Sequence, residues 1–255
     1  MINRSLLAVL AVNVIVAQIG CDRVGDSGAT NTARSSQAST IDLAGGRLPA
    51  LPSGSVYLRV VEFAQDAGGA FTSHQHVPGI VYQQTGMQRL VIADGPSFDI
   101  GSDEAYFLGS LAHAHLNPGA EPNHWYFIAL WPTQSRNIPL ADASARVAFA
   151  TPDLPEAVLP PSSYVSTLQL VVVEPGGRTS AHSYGGVELI FVLDGSITVR
   201  SSGAQPTALG PGQGIHHLPN TVVQEINDAE TEARYLVFLI TAEDQPFQTN
   251  VKQSP

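Results

Sequence analysis

The sequence is poor in the residues that several large classes of protein require. It contains one cysteine, Cys21, and one lysine, Lys252. A single cysteine excludes an intramolecular disulfide framework, and it excludes zinc or iron–sulfur sites built from several thiolates. The formal net charge is −10. A chain so acidic lacks the basic surface that displaces counterions from phosphates, so we expect no nucleic-acid partner.

Long apolar runs are also scarce. Residues 6–17 form an apolar run broken only by Asn13, and this is shorter than the ~20 residues that cross a bilayer. Arg4 precedes the run and Cys21 follows it, as in a signal peptide that resembles a bacterial lipoprotein signal. We therefore expect a signal peptide and lipobox over residues 1–21 and export to the periplasm or cell surface. Membrane contact would then be only through a lipid at Cys21, and secretion as a soluble protein is the alternative.

The remainder lacks helical periodicity. Residues 22–54 are rich in Ser, Thr, Ala and Gly and predict a flexible linker, with folded structure beginning near Ser55. Beyond it, short β-rich runs such as 55–63, 124–131 and 187–193 alternate with turn residues. The 23 glycines and 18 prolines fit many turns. We predict an all-β body.

These runs occur twice. His74 aligns with His182 at an offset of 108, and Gly101 aligns with Gly212 at an offset of 111. A repeat of this length indicates duplication of a whole domain. The sequence thus predicts an N-terminal domain over 55–132, a connector over 133–163 and a C-terminal domain over 164–255.

The second copy carries a family signature. In residues 176–195, Gly176, His182, Glu188 and Gly195 match the spacing of the first cupin motif, and Tyr184 stands where a second histidine is usual. Residues 209–220 resemble the start of the second cupin motif.

The first copy resembles the same motifs. His74, His76 and Gly86 match the first motif, and Gly101, His113 and Asn117 match the second. The chain resembles the cupin superfamily, in particular two-domain, quercetinase-like and pirin-like members and three-histidine dioxygenases. The resemblance implies two tandem barrels of the double-stranded β-helix, or jelly-roll, type.

The histidines of the first copy predict a metal site. Alternate residues of a strand share a face, so His74 and His76 lie on one side, as do His113 and His115. The resemblance assigns metal ligation to His74, His76 and His113, and we assign His115 a catalytic role as proton acceptor. Imidazole ligands indicate one divalent transition metal, Fe(II) first, with Mn, Ni, Cu or Zn as alternatives.

One ligand of the family pattern is missing from this copy. Its glutamate would fall at Gly79 or Ile80, and neither residue can bind a cation. Gln83 is a candidate to fill part of the gap. The site is then neutral, with three histidines and no carboxylate.

The second copy predicts a weaker metal site. It keeps His182 and Glu188, adds Tyr184, and aligns Gln224 with His113. His217 is a further residue that would face inward. We expect this barrel to serve structure or binding, with a weak metal site as the alternative.

These residues predict a metal-dependent dioxygenase that acts on a small phenolic or dicarbonyl substrate in the N-terminal barrel. Tyr82, Tyr106 or Phe107 would line the mouth of that barrel. Two alternatives are open: a lipoprotein cupin that binds a small ligand or sugar without turnover, and a metal-dependent isomerase or decarboxylase. A homodimer is compatible with each.

Overall fold

The computed structural model describes residues 37–48, 50–140 and 144–251. The signal segment and Cys21 lie outside these residues. Within the described part of the chain, no helix has the length and apolar character to cross a membrane. Short 3-10 helices lie at Thr133–Ser135 and Glu156–Val158. The strands are β1 Ala38–Leu48, β2 Val56–Gln65, β3 Ala70–His74, β4 Gly79–Thr85, β5 Met87–Ile92, β6 Ser97–Gly101, β7 Ala105–Leu108, β8 His113–Leu116, β9 Asn123–Pro132, β10 Arg146–Ala150, β11 Tyr164–Val173, β12 His182–Tyr184, β13 Val187–Asp194, β14 Ile197–Ser201, β15 Thr207–Leu209, β16 Gly214–His217, β17 Val223–Ile226, β18 Ala233–Ala242 and β19 Gln248–Asn250.

The strands form two barrels of matching topology, each made of two sheets, and β19 extends one sheet of the C-terminal barrel. In the N-terminal barrel the sheet orders are β10-β2-β9-β4-β7 and β3-β8-β5-β6. In the C-terminal barrel they are β1-β11-β18-β13-β16 and β15-β14-β17-β12-β19. All pairings are antiparallel. The structure is therefore a pair of jelly-roll barrels, as the sequence predicts.

The strand before each barrel pairs with the other barrel. β1 precedes the N-terminal barrel but pairs with β11, and β10 precedes the C-terminal barrel but pairs with β2. This corrects two sequence predictions, because β1 lies within the predicted flexible linker and β10 within the predicted connector. Each strand completes its hydrogen bonds on the open edge of a distant sheet, which local composition does not reveal. Gly46 of β1 lies against the Phe107 ring, where a Cβ would approach ring carbons to 2.2 Å.

Side chains of the five-stranded sheets alternate between two hydrophobic cores. In β4, Ile80 and Tyr82 pack in a core shared by both barrels, whereas Val81 packs inside the N-terminal barrel. The period of two places every second residue of a strand inside its own barrel. Arg234 of β18 also donates to Asp103 of the N-terminal barrel at 2.7 Å. The barrels thus share one large apolar interface, and each keeps an interior of its own.

Candidate metal centre

Four histidines of the N-terminal barrel meet in its interior. His74 ends β3 and pairs with His113 of β8, and His115 follows two residues further along β8 on the same face. One ligand nitrogen from each of these residues and from His76 lies within 4.8 Å of the others. We call His74, His76, His113 and His115 the histidine cluster. The three predicted metal ligands and His115 are thus brought together.

The hydrogen bonds of the cluster fix the orientation of each ring. Every Nδ1 lies against an oxygen that can only accept: Thr72 O at 2.9 Å, Val77 O at 2.8 Å, Leu111 O at 2.7 Å and Gln88 Oε1 at 2.6 Å for His74, His76, His113 and His115 respectively. Each Nδ1 therefore carries the proton, and each Nε2 keeps its lone pair. Metal-binding histidines show the same arrangement, in which the ring nitrogen away from the metal donates to a carbonyl or carboxylate oxygen.

The two most deeply buried histidines of the cluster are neutral, and their Nε2 atoms lack hydrogen-bond partners. His113 and His115 are buried, and neither Nε2 has a hydrogen-bond partner. Burial lowers the pKa of His76 to about 4, and it lowers the pKa of His113 and, more strongly, of His115. An imidazole nitrogen buried without a partner costs free energy. A metal ion removes that cost for several rings at once.

The spacing of the cluster is close to that of a metal site. Imidazole nitrogens bind transition metals at about 2.0–2.1 Å, so ligands on opposite sides of an ion lie about 4 Å apart. The ligand atoms here lie within 4.8 Å of one another. The residues therefore fit a divalent transition metal.

A chain of amides supports His115. Gln83 donates through Nε2 to the backbone oxygen of Thr85 at 2.7 Å, which leaves its Oε1 to accept from Gln88 Nε2 at 2.8 Å. Gln88 then presents Oε1 to His115 Nδ1 at 2.6 Å. The sequence offered Gln83 as a substitute ligand. Instead, Gln83 positions Gln88, and Gln88 positions His115.

The missing carboxylate has a steric explanation. Gly79 pairs with Ala129, and Glu188 of the other barrel pairs with Leu239 at the equivalent place. A Cβ at Gly79 would lie 2.5 Å from Phe127 Cζ and 2.6 Å from the backbone oxygen of Ile128. The site is therefore built without a side chain at this position.

A cavity of about 500 Å³ opens beside the cluster. Its aromatic walls are Phe63, Phe71, Trp125, Phe127 and Trp131, and Arg59 also lines it. The sequence missed these residues and named others. Tyr82 lies in the inter-barrel core and donates to Asp103, Phe107 covers β1, and Tyr106 stacks on Phe98. The predicted lining was wrong because Tyr82 and Phe107 face the inter-barrel core, while Tyr106 faces the barrel interior but does not line the cavity.

The C-terminal barrel holds a different set of ligand atoms. His182, Glu188 and Glu225 bring one ligand atom each within 4.8 Å of the others. The prediction of Gln224 is wrong, since the pairing of His182 with Val223 matches that of His74 with His113. Gln224 lies between the two inward residues Val223 and Glu225, and its Nε2 donates to the Thr179 backbone oxygen at 2.9 Å.

A signal for Glu225 was present in the sequence. Asn117 and Asn227 make the same bonds: each donates to three backbone oxygens and accepts from the amide two residues later. Because Asn117 lies two residues after His115, Asn227 marks Glu225 as the residue equivalent to His115. Anchoring the alignment at these asparagines gives the correct register.

The second cluster is polar and strongly buried. Glu188 accepts from His217 Nδ1 at 2.8 Å, and Glu225 accepts from Thr179 Oγ1 at 2.5 Å. Oε1 of each carboxylate is buried without a partner. Burial, followed by the charge of Glu188, raises the pKa of Glu225. Tyr184 and His182 line an adjacent cavity of about 160 Å³.

Comparisons with known proteins agree with this fold. A model of the Cupin domain matches residues 169–239, within the C-terminal barrel. No curated protein matches the sequence. Similar solved structures include a mutant oxalate decarboxylase from Bacillus subtilis (12% identity, 84% of this chain and 80% of that chain, TM-score 0.56). Others are an oxalate decarboxylase formate complex from Lactobacillus farciminis (13%, 89% and 90%, 0.57) and a vicilin from Solanum melongena (12%, 78% and 78%, 0.56). At these identities the likeness is one of fold.

Proposed function

We propose that this protein is a two-domain cupin and that its N-terminal barrel is a metal-dependent enzyme site. The histidine cluster would hold one divalent transition metal, and the adjacent cavity would hold a small organic substrate. The observation that carries this proposal is the shared arrangement of four imidazoles, each with Nδ1 bonded to an acceptor and with one ligand nitrogen of each ring within 4.8 Å of the others.

The ligand set determines the chemistry that we propose. A bound transition metal supplies Lewis acidity toward a substrate oxygen and, when it is iron, the redox chemistry of oxygenases. Four neutral imidazoles would leave the full positive charge of the ion in the site. Such a site favours a substrate that is, or becomes, an anion. Our first candidate is therefore a dioxygenase that acts on a small phenolic or dicarbonyl compound.

His115 acts in this proposal as a ligand and not as a proton acceptor. Its Nδ1 is occupied by Gln88, and its Nε2 is buried among the other rings. Trp125 stacks on the imidazole of His115 at a centroid distance of 4.5 Å, and Phe63 stacks on Trp125 at 3.9 Å. These aromatic rings exclude water from one side of the site. They also offer flat apolar surfaces to a substrate with a planar body.

A decarboxylase is the second candidate. Two of the similar folds are oxalate decarboxylases, one of them in complex with formate. A metal-dependent decarboxylation would use the same cluster and would need no oxygen. The size of the cavity, about 500 Å³, favours a substrate bulkier than oxalate for either reaction.

Turnover assays distinguish the candidates. Fe(II)- and Mn(II)-loaded protein would be mixed with catechol, 2,4-pentanedione and phenylpyruvate while oxygen consumption and carbon dioxide release are recorded. We expect oxygen consumption that His113→Ala abolishes and His124→Ala retains, because His124 lies outside the cluster and contacts Glu62. Carbon dioxide release without oxygen consumption would favour the decarboxylase. Fully metallated protein that consumes no oxygen and releases no carbon dioxide would favour the alternative of ligand binding without turnover.

A further inference from the structure

Arg59 is a buried cation inside the N-terminal barrel. Leu58 and Val60 of β2 pack in the inter-barrel core, so Arg59, Val61 and Phe63 face the barrel interior and line the cavity. Arg59 is 3% exposed. A guanidinium on an interior row of a strand costs much free energy unless something pairs with it.

Among the described residues, no carboxylate pairs with Arg59. Arg136, its neighbour, is paired with Asp153 at 2.6 Å. Arg59 instead lies over the ring of Trp131, with Cζ 3.7 Å from the ring centroid. A ring face compensates the charge but accepts no hydrogen bond from donors that lie in the guanidinium plane.

Two buried donors are left without partners at this end of the barrel, Arg59 Nε and Trp131 Nε1. The hydroxyl of Tyr57 lies beside the Arg59 guanidinium, and Tyr57 pairs with Trp131 across β2 and β9. Burial lowers the pKa of Arg59 and the adjacent Tyr57 raises it, but a guanidinium titrates so far above neutrality that it stays charged. Unpartnered donors around a fixed cation form a site for an anion.

Among the described residues of the C-terminal barrel, no arginine is buried in this way. Arg59 pairs with Ala129, and Thr167 pairs with Leu239 at the equivalent position of the second barrel. The buried arginine and the four-histidine cluster therefore occur in the same barrel. The other barrel carries a threonine and a carboxylate-rich cluster in their place. The presence of the buried arginine and the histidine cluster in the same barrel indicates that both bind one ligand.

We infer that Arg59 anchors the carboxylate of the substrate, whose apolar or aromatic body fills the cavity toward the histidine cluster. This inference rests on the proposed function, and it adds the substrate class: a monocarboxylate with a planar or apolar body. Arg59 and the cluster line one cavity, and Trp131 lies between them, with its ring 6.4 Å from that of His76. The described lining contains no Asp or Glu that would repel an anion.

Titration calorimetry with two matched probes tests the inference. Metal-free protein is titrated near neutral pH with 3-phenylpropanoate and with 3-phenylpropanamide, which share a shape and differ in charge. We expect the acid to bind at least about tenfold more tightly than the amide, the effect of one charged hydrogen-bonding pair. Arg59→Gln should remove this preference without weakening binding of the amide. Arg59→Lys should keep part of it, because it keeps the charge and loses the planar donors.

The control variant is Arg89→Gln, which removes an exposed arginine paired with Asp99 and should leave the preference intact. Equal affinities of wild type for acid and amide, or no binding of either probe, would overturn the inference without any variant. A preference that survives Arg59→Gln in folded protein would overturn it too. Because the titration uses metal-free protein, its result does not depend on whether the protein binds metal or catalyses a reaction. An Arg59-dependent preference in a protein that never binds metal would refute only the proposed enzyme site.

Discussion

Glu225 occupies in the C-terminal barrel the position that His115 occupies in the N-terminal barrel. Each lies two residues after the partner of the first motif histidine and two residues before an asparagine that binds the same backbone groups. Gly79 and Glu188 form a second such pair. The duplicated barrels have therefore diverged into a neutral nitrogen site and a carboxylate-rich site, which suit different metals.

The two carboxylates of the second site should cost stability when no cation is bound. Glu225→Gln removes one of two buried charges, so we expect the metal-free protein to gain about 1 kcal/mol near neutral pH. The pKa of Glu225 is raised on folding, so folding is favoured when this group is protonated. The gain from the variant should then disappear at about pH 4, where wild type is protonated as well.

Urea unfolding at both pH values measures this effect. The control is Glu174→Gln, an exposed glutamate whose replacement should change little. If Glu225→Gln is less stable than wild type near neutral pH, the prediction is wrong. The negative charge of Glu225 would then be compensated by its surroundings in the folded protein.

Gln88 should matter for metal affinity without touching the metal. Gln88→Ala removes the acceptor that holds His115 Nδ1, and loss of such an outer partner typically costs about 10–100-fold in affinity. Competition with a chelator would measure the change. Gln84→Ala is the control, since Gln84 accepts from His124 outside the cluster. Equal affinities for the two variants would contradict the role of the amide chain.

The absence of a side chain at position 79 should be a packing requirement. Gly79→Ala places a Cβ within 2.5 Å of Phe127 and 2.6 Å of a backbone oxygen, so we expect a loss of about 2 kcal/mol. Gly109→Ala is the control, because no atom lies within 4 Å of a Cβ there. Urea unfolding compares the stabilities of the two variants, provided that both show the same dependence on urea concentration. Equal midpoint concentrations would show that the barrel accommodates the added methyl group at little cost.

The metal-free N-terminal barrel should weaken in mild acid. His76 has a pKa of about 4 in the folded protein, below its unfolded value, so the unfolded state binds more protons and stability falls as pH drops below about 6.5. Between about pH 7 and pH 5 this group alone should cost roughly 2 kcal/mol. The measurement is urea unfolding with chelator present. His76→Gln should flatten this pH dependence, and an unchanged slope in that variant would place the cause elsewhere.

Local sequence patterns predicted the duplication and the histidine cluster. His113 and His115 share one face of β8, because residues two apart on a strand lie on the same side. His76 lies beyond the end of β3, so strand alternation does not account for its place in the cluster. The sequence placed the missing glutamate of the first cupin motif at Gly79 or Ile80. The pairing of Gly79 with Ala129 shows that Gly79 is the residue at that position.

The errors came from register and from distant pairing. The offset between the copies varies, and an error of one residue aligned His113 with Gln224 instead of Val223. This moved the prediction to the other face of β17 and hid Glu225, the counterpart of His115. β1 is held by hydrogen bonds to β11, more than a hundred residues away, which its own composition does not indicate. Arg59 was missed for a similar reason, since one charged residue in a strand is usually on the surface.

Metal content is the most direct test of the histidine cluster. Wild-type protein and the variants His113→Ala, His115→Ala and His182→Ala would be loaded with Fe(II), Mn(II) or Zn(II), desalted and analysed by elemental mass spectrometry. We expect about one tightly held equivalent in wild type and in His182→Ala, and almost none in His113→Ala or His115→Ala. Wild type that retains no metal, or folded His113→Ala and His115→Ala proteins that retain as much as wild type, would contradict the account.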